Sequence, residues 1–231
     1  MENKKTIIGI VILIILIISI CFGAYTYNKK NAEQLSLLTD ETNKILQTNL
    51  STDQIDLELK TEKDYAVVEK AIKEYISKIR SVYLEASEFV DINPNDVFTG
   101  NNVENQNFDK VEEIISDYKT KIENCQNEFN DLIKEENIIK NIEEKNIKTR
   151  KDYYINLYKT VMLSDVMKEK YTNLHSKIEK AKDKVTENVS KLEKIEKFLK
   201  DNNKFWKINE EGKIEFSNIN KITEYYNLLN R

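Results

Sequence analysis

The most concentrated apolar stretch lies at the very start of the chain. No charge occurs between Lys5 and Lys29, and residues 7–27 are mostly Ile, Val and Leu. As a helix rising 1.5 Å per residue, that run spans about 31 Å, one bilayer hydrocarbon core. Tyr25 and Tyr27 fall at its far end, where amphipathic rings favour the headgroup layer. The pattern predicts a transmembrane helix over residues 6–28 behind a short cytoplasmic tail, residues 1–5. A cleavage site fits poorly, because Phe22 stands two positions before Ala24. Cys21 follows Ile20 rather than a small residue, so it reads as an apolar lipid-facing side chain, not a lipidation site. Two lysines flank each side, so charge bias alone does not orient the segment. The short tail and its amine favour N-in, C-out.

Beyond the anchor the apolar period becomes seven. Leu35, Leu38, Thr42 and Ile45 make a thin seam, predicting a membrane-proximal stalk or first helix over residues 31–60; Ile55, Leu57 and Leu59 alternate within it. Tyr65, Ile72, Ile79 and Ala86 then recur at seven, as do Val68, Tyr75, Val82 and Phe89. These are the two rows of a four-heptad seam. Thr61 and Asp64 resemble a capping box opening that helix, and Asn93-Pro94 closes it. Residues 93–107 read as a polar connection whose tip, near Thr99, is the best-placed candidate for a partner contact.

A second seam joins Phe108, Ile115, Ile122 and Phe129 to Val111, Tyr118, Cys125, Leu132 and Ile139. The pattern loosens over residues 137–150, where a single reversal near 146–151 is expected. The third seam joins Tyr171, Ile178, Val185, Leu192 and Leu199 to Met167, Leu174, Ala181, Asn188 and Ile195. Its one polar member, Asn188, reads either as a register-fixing residue or as a solvated edge position. After residues 201–203 the period becomes two. Trp206 and Ile208, a turn through Gly212, then Ile214 and Phe216 predict a β-hairpin. Ser217 would cap a last helix that presents Ile219, Ile222, Tyr226 and Leu229 on one face.

Composition narrows this further. Four glycines and one proline in 231 residues argue against sandwiches, barrels and glycine-rich nucleotide folds. Two cysteines exclude a disulfide framework. The abundance of Lys, Ile and Asn marks an AT-rich bacterial genome and carries no functional signal. Residues 31–231 hold 32 basic against 39 acidic side chains, a net charge of −7. Phosphate polymers need a concentrated basic footprint, so no nucleic acid is expected as a partner. An acidic surface also repels anionic headgroups. The lysines of residues 177–200 alternate with Glu and Asp, as on a solvated helix face.

The chain shows no HExxH, GxSxG, Walker loop, GxGxxG or CxxC. Glu112-Glu113, Glu135-Glu136 and Glu143-Glu144 are neighbours on helices and point about 100° apart. Cys125 sits on a seam without a base nearby in sequence, and His175 on a seam flank without a second ligand. They read as a core thiol and a solvated helix residue. No catalytic, cofactor-binding or metal-binding residue is assigned, and no enzymatic activity is expected.

The segment Phe205-Trp206, Gly212-Lys213-Ile214-Glu215-Phe216 and Glu224-Tyr225-Tyr226-Asn227-Leu228-Leu229 resembles the end of an uncharacterised Gram-negative envelope lipoprotein family. That family has a Gly-x-Ile-x-Phe hairpin followed by a short helix with Glu-Tyr-Asn-x-Leu. Here a second tyrosine interrupts the Glu-Tyr-Asn run, the likeness covers about a tenth of the chain, and a usable lipidation cysteine is lacking. The resemblance implies an envelope-facing helical domain with a C-terminal hairpin, and it transfers no activity or site residue.

The expected fold is mainly α. A single transmembrane helix precedes an antiparallel helical bundle over residues 61–203, and residues 204–231 add a hairpin and helix packed on it. The expected partners are the bilayer through residues 6–28 and either another protein or a second copy, through the membrane-proximal helix. The leading functional expectation is an extracytoplasmic protein-interaction or envelope scaffold module of the plasma membrane. A cytoplasm-facing coiled-coil scaffold is the alternative, as is a ligand-binding sensor with a groove near Tyr153, Tyr154 and Tyr158.

Overall fold

A computed structural model describes residues 29–230. The apolar run at 6–28 lies outside them. Among the described residues no helix is long and apolar enough to cross a membrane. The chain is mainly helical, with α1 at Lys29–Gln47, α2 at Lys63–Glu88, a single turn α3 at Pro94–Val97 and α4 at Asp109–Leu132. Then come α5 at Glu135–Glu143, α6 at Lys151–Met162, α7 at Asp165–Asp201, β1 at Trp206–Ile208, β2 at Ile214–Phe216 and α8 at Ile219–Asn230. These residues form a helical bundle with a small antiparallel hairpin. They divide into two compact units, each built from two stretches of chain.

The first unit takes residues up to Leu84 and Glu128–Lys177. Its core draws on the α2 seam, with Val68, Ile72, Ile76 and Ile79 all buried, and on Leu38, Ile45 and Leu46 of α1. The antiparallel course of α2 and α4 is fixed by two contacts. Tyr75 Oη donates to the Leu132 carbonyl at 2.9 Å, and Lys78 meets Glu128 at 3.3 Å. The single expected reversal becomes three breaks, at Ile133–Lys134, over 144–150 and at Leu163–Ser164. None of them uses glycine or proline. Ser164 Oγ accepts from the Met167 amide at 3.3 Å and so caps α7. The helices α5 and α6 fold back on each other, and Asn141 donates to Tyr158 Oη at 2.9 Å.

Between α1 and α2 the chain does not continue as a helix. Residues 48–62 form a strap, with Leu50 and Thr61 buried at its ends. The expected capping box at Thr61 and Asp64 does not form. Thr61 Oγ1 donates to Glu69 at 2.7 Å, and Asp64 accepts from the loop before α6.

The second unit takes Glu85–Asn127 and Ile178–Arg231. Here α4 and α7 run antiparallel. Lys200 meets Glu112 at 2.6 Å, Lys119 meets Glu193 at 2.7 Å, and Lys182 donates to Gln126 at 2.6 Å. The 93–107 connection is not a free polar loop, because it buries Val97, Phe98 and Val103. Pro94 opens α3 instead of only ending α2, with Asn93 Oδ1 accepting from the Asn95 amide at 3.0 Å. The Gly100 amide donates to the Gly212 carbonyl at 2.8 Å, joining this loop to the hairpin turn.

The hairpin pairs Trp206 with Phe216 and Ile208 with Ile214, and Gly212 takes φ 74° as its turn requires. Trp206 is buried and donates its indole N–H to the Leu199 carbonyl at 2.8 Å. That makes it a packing anchor, edge-on to Phe108 at 6.1 Å. Two expectations shift by one position. Asn218, not Ser217, caps α8, through the Asn220 and Lys221 amides. The buried face of α8 carries Tyr225, against Phe216 at 5.1 Å, while Ile219 and Tyr226 are 73% and 58% exposed.

Candidate functional site

A groove of about 870 Å³ lies in the first unit at the start of α1. Its floor follows from one carboxylate. Asp64, the second residue of α2, accepts from the Lys148 amide at 3.0 Å, the Thr149 amide at 2.9 Å and Thr149 Oγ1 at 2.6 Å. These bonds fix the loop from Ile147, itself buried, to Arg150. Burial alone would raise the Asp64 pKa. The Thr149 hydroxyl and the two amides outweigh it and hold the carboxyl below its ordinary range. Asp64 is thus a fixed anion with its oxygens spent on the loop.

The groove's aromatic wall is Tyr65 and Tyr154, edge to face at 5.0 Å. Tyr153 packs on Tyr154 at 5.1 Å, approaches Tyr65 Oη at 3.4 Å through its own hydroxyl, and lies under the Arg150 guanidinium at 4.8 Å. Burial, helped by Tyr65 and Asp64, pushes the Tyr154 phenol up to about 12, so it stays protonated at neutral pH. Two residues at this end hold left-handed backbone without being glycine, Lys63 at φ 56° and Arg150 at φ 43°. Such conformations cost about 1–3 kcal/mol each and persist only where the surroundings impose them. Lys30, Lys63 and Lys148 also line the groove, facing Glu33 and Glu62. Chemically this is a balanced, aromatic-walled recess for binding.

Tyr154 alone of the three tyrosines named from the sequence lines this groove. Tyr153 lies beside it, half-buried, and Tyr158 is wholly buried, its hydroxyl bonded to Asn141.

A second arrangement has no counterpart in the sequence reading. Lys73 of α2 is 2% exposed and donates to Glu41 Oε2 at 2.7 Å, Glu69 Oε1 at 2.7 Å and the Glu58 carbonyl at 2.6 Å. Glu69 also accepts from the Lys60 and Thr61 amides and from Thr61 Oγ1. One buried lysine and two buried glutamates thereby clasp the strap to α1 and α2. Burial would raise both carboxyls, but Lys44 and Lys73 hold Glu41 below its usual range. Lys73 and Thr61 do the same for Glu69. Burial would lower Lys73, and its two carboxylate partners raise it instead. Glu69 and Lys73 are four residues apart, the spacing of an ordinary surface pair, so only Glu41, 32 residues from Lys73, distinguishes the clasp.

In the second unit, a recess of about 670 Å³ lies among the 95–101 loop, the hairpin turn and α8, with Tyr226 at its edge. Cys125, in the same unit, is buried on its seam away from that recess's lining. Asn188 is half-buried and donates to the Val90 carbonyl at 2.7 Å, just past the end of α2. In the first unit His175 is half-buried against Phe129 at 6.2 Å rather than solvated. Among the described residues no group of three His, Cys, Asp or Glu side chains is placed to hold a metal. The chain matches no family model, no curated protein and no solved structure.

Proposed function

We propose that this is a single-pass, N-terminally anchored protein of the bacterial plasma membrane whose helical domain, outside the cytoplasm, works by binding another envelope protein. The uncharged run at 7–27 and its flanking lysines support the anchor. The likeness of the C-terminal hairpin and helix to envelope lipoproteins supports the compartment. The observation that carries the binding role is on the strap and α1. Leu57, Leu59 and Leu37 are 56%, 40% and 39% exposed on the two elements that follow the anchor. The strap is held by polar bonds from its inner side, so these leucines contribute little to the fold and remain for a partner.

The test is site-specific photocrosslinking in intact cells. A benzoylphenylalanine at Leu57 should give a discrete adduct, while one at Asp183, exposed on α7, should not. No adduct at Leu57, or equal adducts at both, rejects the reading. For the compartment, a cysteine at Glu104, exposed in the second unit, should react with a membrane-impermeant maleimide before lysis. Labelling only after lysis would favour the cytoplasmic scaffold. The groove at Tyr65 and Tyr154 favours a second reading, a small-ligand sensor. A ligand that occupies it must raise the melting temperature.

A further inference from the structure

Arg80 of α2 is the least satisfied charged side chain in the first unit. It is half-buried, and its Nε is buried without any hydrogen-bond acceptor. A guanidinium has five donors, and a buried unpaired one is costly. Two lysines of α7 lie around the same turn of the strap. Lys170 Nζ donates to the Thr48 carbonyl at 2.6 Å, and Lys177 Nζ to Ser51 Oγ at 2.7 Å while lying 5.7 Å over the Tyr83 ring. Among the described residues none of the three cations forms an ion pair with a carboxylate.

One answering charge is Asp53 of the same turn. Its carboxylate accepts from the Asn49 amide at 2.8 Å and from Thr52 Oγ1 at 2.9 Å. Those bonds, joined by the charges of Arg80 and Lys170, lower its pKa. Burial meanwhile pulls the Lys170 ammonium below the lysine range, against the opposing charges of Asp53 and Glu169. The C-terminus of α1 accounts for a cation at Lys170. It leaves the Arg80 Nε without an acceptor. Three cations against the two carboxylates Asp53 and Glu169 leave one positive charge over.

We propose that Arg80, Lys170 and Lys177 form a binding site for a soluble oxyanion, with a phosphate group as occupant. A phosphate supplies the negative charge and the acceptor that this turn lacks, and its tetrahedral oxygens suit a planar guanidinium fork and ammonium groups. The strap turn 48–53 forms the site's outer wall, so occupancy fastens that turn between α2 and α7. The site stands independently of the membrane reading.

The test uses the full chain in an uncharged detergent, titrated with inorganic phosphate against sodium chloride at equal ionic strength. Phosphate should raise the melting temperature saturably where chloride does not. Arg80→Met should weaken phosphate affinity at least tenfold at unchanged helical circular dichroism, and Arg80→Lys by less. Asp53→Asn, which removes a competing carboxylate, should tighten it several-fold. Equal responses to phosphate and chloride overturn the proposal, as does a phosphate response that survives Arg80→Met. If Arg80→Met does not fold, Asp53→Asn decides, and no gain in affinity there overturns the site. Glycerophosphoglycerol, a soluble lipid-headgroup diester, is the parallel probe. Binding of the diester in place of phosphate assigns the site to a lipid and overturns the soluble occupant.

Discussion

At the scale of single residues, Lys73 is the side chain on which most depends. Removing one partner of a buried ion network strands the others as uncompensated charges, at about 3–5 kcal/mol. Lys73→Met should therefore lower the urea-unfolding free energy by about that amount. It should also speed hydrogen exchange at the Lys60 and Thr61 amides, which depend on Glu69. The same clasp sets an acid limit. In the unfolded chain Glu41 and Glu69 titrate at their ordinary 4.5, and in the fold they titrate lower. Below that pH the unfolded state takes up protons first. The contribution is complete above about pH 4.5 and is lost as pH falls through the folded values. Urea titrations at successive pH values should show this decline, and Glu69→Gln should flatten it. Lys63, at φ 56°, makes the opposite case. Lys63→Gly should be neutral or stabilising by up to about 1 kcal/mol, whereas Lys63→Val should destabilise.

At the scale of elements, the three heptad seams were plain in the sequence because a seven-residue repeat is the direct signature of a helix with one buried face. Ile72, Ile79, Phe129, Ile178 and Leu192 are all buried on them. The breaks at Ile133–Lys134 and Leu163–Ser164 were not plain. They interrupt the helix without glycine or proline, and the only local signal is Ser164 as a cap. The clasp was hidden for a related reason. Glutamate and lysine at helical spacing are surface residues until a third element covers them, and what covers them here is the strap, whose pattern is too short to read. Of the groove, only Tyr154 was legible as a wall residue; Tyr65 read as a seam position and Asp64 as a cap, because the Asp64 bonds cross 84 and 85 residues of sequence. Capping gives a direct check at the last helix. Asn218→Ala should cost about 1 kcal/mol in unfolding followed by Trp206 fluorescence, and Ser217→Ala less, since Ser217 bonds Phe205 rather than the helix.

At the scale of the molecule, neither compact unit is one continuous piece of chain. Each needs a segment from the first half and another from the second, and α2, α4 and α7 give residues to both. A chain truncated after residue 177 keeps both segments of the first unit and loses residues 178–231 of the second. It should expose residues 85–127 to protease while residues 29–84 and 128–177 stay protected. Uniform digestion of the truncated chain would show that the first unit does not hold alone. The acidic surface predicted from composition belongs to the molecule as a whole. The surplus of positive charge around Arg80 is local and invisible in a net count.

The meeting of Gly100 with Gly212 has a consequence for how the gene can drift. A Cβ at position 100 would come within 2.9 Å of the Gly212 carbonyl and of Ile208 Cγ2, and the first of these is backbone that cannot swing aside. Glycine codons are rich in guanine, whereas lysine, isoleucine and asparagine codons are rich in adenine and thymine. Every amino acid one nucleotide away from glycine carries a Cβ. Codon 100 therefore tolerates only synonymous neighbours, and in a saturation library it should be among the most depleted positions of the domain.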